Sequence, residues 1–133
     1  MFLNKLNEKE KESFLSLAHH IANCDDNFSQ EEQKMISAYC REMTIIDIDY
    51  DEGCFDLDNT LNNFETLQSQ KIILIELFAL VFSDGHHLHD EEVNVIEAVA
   101  QKFNIDTNLI NVFANWSKSI IALINQGKSL ILL

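Results

Sequence analysis

A chain with no proline, and with glycine only at Gly53, Gly85 and Gly127, has little from which to build tight turns or glycine-rich phosphate loops. Its apolar residues recur at helical spacing instead. Phe14, Leu17, Ala18 and Ile21 form an i, i+3, i+4, i+7 stripe, and the same period returns along most of the chain. The expected class is therefore all-α: a single multihelical bundle of about six or seven helices in one domain spanning residues 1–133. At 133 residues one core suffices, and 47 % hydrophobic residues is too many for a disordered acidic tail.

Asn7, followed by Glu8 and Glu10, caps a first helix running to about Cys24. Ser29 with Glu32 is a capping box opening a second helix to about Met43, whose inner face reads Met35, Ile36, Tyr39 and Met43. Residues 44–58 read as a solvated acidic connector, and a short helix follows around Asp58–Phe64. The segment 68–83 differs from the rest. Ile72, Ile73, Leu74, Ile75, Leu77, Phe78, Leu80, Val81 and Phe82 cover almost every direction, the pattern of a buried central helix, and Gly85 ends it. A further helix runs from His89 or Asp90 to Phe103, with Val93, Ile96, Val99 and Ala100 inward. Asp106 caps a last helix, about 107–126, that carries Leu109, Val112, Phe113, Trp116, Ile120, Leu123 and Ile124 and stops at Gly127.

Nine cationic against 22 acidic side chains give a net charge of -13, with Arg41 the sole arginine, so there is no footprint for nucleic acid or anionic lipid. No apolar run approaches the roughly 20 residues that cross a bilayer, and no signal-peptide core is present. Cys24, Cys40 and Cys54 lack C-x-x-C spacing and read as reduced thiols, small buried hydrophobes of a cytoplasmic protein.

Placing Asp25 over Asp84 aligns Ile21 with Leu80, Ala22 with Val81 and Cys24 with Ser83, an offset of 59 residues. Past the loop, Glu32 falls over Glu92, Ile36 over Ile96, Ala38 over Ala98 and Met43 over Phe103, an offset of 60, so one residue is inserted around His86. The first repeat spans about 8–43 and the second about 68–103, each with an acidic loop between two helices. The pattern A-x-x-D-G-x-(apolar)-S-x-x-E, twice in one helical chain, resembles the TerB-like family, which includes the tellurite-resistance protein TerB. The copies run from Ala22 to Glu32 and from Val81 to Glu92, with Asp26 in place of the usual glycine and His89 in place of serine. The resemblance implies a helical bundle whose acidic loops converge on a divalent-metal site, with Asp25, Glu32, Asp84 and Glu92 as ligands.

Read without the family, Glu31, Glu32, Glu91 and Glu92 stand in first helical turns, where the dipole favours a carboxylate whether or not a metal is present. Asp25 and Asp84 close helices, where the dipole disfavours an anion, and either the next helix's amides or a cation must compensate. Oxygen ligands point to Ca²⁺, Mg²⁺ or Mn²⁺. His86, His87 and His89 offer Zn²⁺ or Ni²⁺ a less favoured alternative beside the simpler reading that they face water. His19 reads as a packing residue and His20 as solvent-facing. An EF-hand reading of Asp47–Asp58 fails, because glycine stands at position 7 rather than 6 and aspartate at 12. With no nucleophile motif present, the expectation is a non-enzymatic, metal-binding TerB-like module linked by resemblance to tellurite and metal stress, acting through an unidentified protein partner. The alternative is a metal-independent acidic interaction scaffold. Leu130–Leu133 either docks on the bundle or holds a homodimer together.

Overall fold

A computed structural model of the chain describes residues 1–24, 28–83 and 90–133. Asp25, Asp84, Gly85, His86, His87 and His89 lie outside the described residues. Every regular element among the described residues is helical: a 3-10 turn at Leu3–Lys5, then α1 (Glu8–Asn23), α2 (Gln30–Met43), α3 (Leu57–Leu61), α4 (Leu67–Phe82), α5 (Asp90–Lys102) and α6 (Thr107–Ile131). They pack in one bundle.

The helix starts follow local chemistry. Asn7 and Glu10 close a full capping box on α1, and Ser29 and Glu32 close one on α2. Thr66 and Asp106 cap α4 and α6 with single side-chain bonds, to Ser69 N–H and Asn108 N–H.

α4 is the axis of the bundle and contacts α1, α2, α5, α6 and the N-terminal turn. Ile73, Leu74, Leu77 and Leu80 are fully buried in it, together with Phe14, Leu17, Ala18 and Ile21 of α1. α2 buries Ile36, Tyr39 and Met43, and α5 buries Ile96, Val99 and Ala100, while Met35 and Val93 are only half-buried.

Helix ends carry a second set of local devices. Thr44 and Asn104 are the only non-glycine residues among those described with left-handed backbone, at φ 58° and 54°. After each, an isoleucine N–H reaches back to the last turn: Ile45 to the Cys40 carbonyl and Ile105 to the Ala100 carbonyl, while Thr44 and Asn104 bond Arg41 and Gln101. These are Schellman closures made without glycine.

Four expectations need correction. α6 does not stop at Gly127 but continues to Ile131. A Cβ at Gly127 would meet nothing within 4 Å, and helical glycine costs only about 1 kcal/mol relative to alanine, too little to end a helix that the following residues can continue. Second, α6 buries only Phe113 and Ser117; Val112, Trp116, Leu123 and Ile124 are exposed because α6 lies against α4 on one side only.

Third, His20 is half-buried rather than simply solvent-facing. Its ring stacks on Phe55 at 4.2 Å and its Nδ1 hydrogen-bonds the Tyr50 hydroxyl, so burial lowers its pKa below the usual 6.5 against the opposing charge of Glu52. The connector 44–58 is thus irregular but pinned to α1, with His19 also bonded to Asp47 and stacked on Tyr50. Fourth, the cysteines are not fully buried core residues: Cys24 and Cys40 are half-buried against the core, and Cys54 is exposed.

Candidate functional site

Of the four residues that the resemblance proposes as metal ligands, Glu32 and Glu92 are described. Both stand in the first turn of a helix, α2 and α5, and both are buried, at 4 % and 2 % exposure. Their neighbours Glu31 and Glu91 are exposed, as helix-start glutamates usually are. The Glu32 carboxylate accepts the Ser29 N–H at 3.1 Å while Ser29 Oγ accepts the Glu32 N–H at 3.0 Å. Among the described residues no group of three or more His, Cys, Asp or Glu side chains is arranged to hold a metal ion.

Three of the six acids in the connector are engaged by hydrogen bonds. Asp47 bonds His19 and the Ile48 N–H, Asp51 accepts from Gly53 N–H and Cys54 Sγ, and Asp56 caps α3 through the Asn59 N–H. The Cys54 thiol is raised in pKa by its hydrogen bond to Asp51.

Periodicity did not mark a second place, a groove of about 470 Å³ between α2, α4 and α6. At one end lies a cluster of charge. Glu76 of α4, 1 % exposed, accepts the Phe2 N–H at 2.9 Å and lies 2.9 Å from the Met1 amine; Glu42 of α2 accepts from the same amine and from the Leu3 N–H. Burial disfavours the charged amine, but the two carboxylates outweigh it and hold its pKa above the ordinary value. The Tyr39 hydroxyl donates to the Glu76 carbonyl, and burial together with the charges of Glu76 and Glu42 pushes its pKa well up. The signal for this cluster was Glu76 itself, the one charge in the otherwise apolar stretch 72–82.

No helix among the described residues is long and apolar enough to cross a membrane. The bundle defines the class of the chain as an all-helical domain. No family model, no curated protein and no solved structure matches it.

Proposed function

We propose that the chain is a non-enzymatic, TerB-like binding module of the cytoplasm that takes up a divalent cation, Ca²⁺, Mg²⁺ or Mn²⁺, through its two acidic inter-helix loops. The resemblance links such a module to tellurite and metal stress. The observation that carries the reading is the burial of Glu32 and Glu92 at matching stations of two helix starts beside exposed neighbours. Matched helix ends support the underlying duplication. Cys24 and Ser83, 59 positions apart, each bond a carbonyl three residues back through both N–H and side chain. Thr44 and Asn104, 60 apart, carry the same left-handed closure.

Thermal unfolding of chelator-treated protein with each cation tests it. At 10 to 100 times its dissociation constant, a bound ion adds about 1.4–2.7 kcal/mol, and the Asp25→Asn, Asp84→Asn double variant loses that gain. If millimolar ion leaves the wild-type midpoint unchanged, the cation reading fails and the metal-independent acidic scaffold takes its place.

A further inference from the structure

The α2/α4/α6 groove has a character opposite to that of the protein around it. Three of the nine cationic side chains, Lys34 and Arg41 of α2 and Lys128 of α6, line it, and all three are exposed. None makes an ion pair among the described residues, although the chain holds 22 acids. Of the three carboxylates that line the groove, Glu42 and Glu76 are engaged by the Met1 amine and by the N–H groups of Leu3 and Phe2, leaving Glu31. Beneath the cations the walls are apolar or small: Met35 and Ala38 on α2, Ala79 on α4, and Ile121 and Ile124 on α6.

We propose that this groove receives an amphipathic peptide helix of a partner protein, with its apolar face on the half-buried Met35, Ala38 and Ile121 and its carboxylates on Lys34, Arg41 and Lys128. Helix-in-groove docking needs apolar anchors at i, i+3, i+4 and i+7, and a space of this volume accepts a few such side chains. Lys34 and Arg41 are seven residues apart on one helix, so their Cα atoms are separated by about 10 Å along the axis. That spacing suits carboxylates two turns apart on a facing helix; a fatty acid carries one carboxylate and answers one cation. Charge also argues against a second copy of α6 as the occupant, because residues 107–133 contain Lys118 and Lys128 and no acid. Acids more than about 8 Å away are screened at physiological salt, so the groove's own charges, three exposed cations against Glu31, set recognition. This inference is independent of the cation reading, and binding is expected in the presence of chelator.

The test is fluorescence anisotropy, in excess EDTA, with a labelled 18-residue peptide carrying leucine at helical i, i+3, i+4, i+7 positions and glutamate elsewhere. Saturable binding is expected, at least ten times tighter than that of the same peptide with lysine for glutamate. Ala38→Trp, at a half-buried position where it fills the groove, and Lys34→Gln with Arg41→Gln and Lys128→Gln, these three at exposed positions, each weaken binding at least tenfold while leaving the helical circular dichroism unchanged. The proposal is overturned if the glutamate peptide fails to saturate at 1 mM, if its binding survives both sets of substitutions, or if the lysine peptide binds as well. Dodecanoate that binds this groove where the peptide does not overturns it in favour of a lipid.

Discussion

Leu77→Ala is the sharpest test of α4 as the axis of the bundle. Leu77 is 0 % exposed, and α4 meets α1, α2, α5, α6 and the N-terminal turn, so little of its surroundings is free to collapse into the space left behind. Buried leucine-to-alanine changes cost about 2–5 kcal/mol, more where relaxation is blocked, which places Leu77 at about 3–4.5 kcal/mol. That is a large part of a typical stability of 5–15 kcal/mol. With an unfolding entropy of about 2.1 cal/mol/K per residue, 133 residues give roughly 0.28 kcal/mol/K, and the expected fall in midpoint is about 11–16 °C. Leu123→Ala, at a position 59 % exposed on α6, should stay within about 0.5 kcal/mol. Urea unfolding followed by circular dichroism measures both. A Leu77→Ala cost below about 1.5 kcal/mol, or one equal to that of Leu123→Ala, would refute the placement of α4 at the centre.

The lowered pKa of His20 has a defined sign. The unfolded chain takes up its proton near pH 6.5, before the folded chain does, so the stability this residue contributes is complete above 6.5 and is lost as the pH falls toward the folded value. Wild-type protein should therefore lose more stability than His20→Gln between pH 7 and pH 5 in urea titrations, and parallel profiles would refute the burial of His20 against Phe55. Cys54 should react slowly with a thiol reagent at neutral pH despite its exposure, because the Asp51 carboxylate holds its proton; Asp51→Asn should quicken the reaction several-fold, and an unchanged rate would sink this account.

Contacts local in sequence were legible in it. The Ser29/Glu32 capping box and the Phe14–Ile21 stripe were read correctly because both depend on residues within two turns. The all-round apolar run of α4 also marked its burial, since no single amphipathic face could hold it. His20 was misread because its partners, Tyr50 and Phe55, come from an irregular segment that periodicity does not describe. For the candidate site, the buried glutamates stood where their motif put them, but no pattern announced that Glu32 and Glu92 would be withdrawn from water while Glu31 and Glu91 remained exposed. The groove was not readable, because Lys128 lies far along the chain from Lys34 and Arg41 and only the seating of α6 beside α4 brings them around one space.

The left-handed residues Thr44 and Asn104 bear on what fixes the ends of α2 and α5. A β-branched threonine resists that conformation, and asparagine tolerates it without preferring it. In the unfolded ensemble, then, little tells α2 to end at Met43, and transient helix there is free to run on toward the connector. The closure becomes favourable once Ile45 and Ile105, each partly buried against the core, have docked. The ends of α2 and α5 therefore rest on the packing of Ile45 and Ile105 as well as on the local preference of the residues that close them.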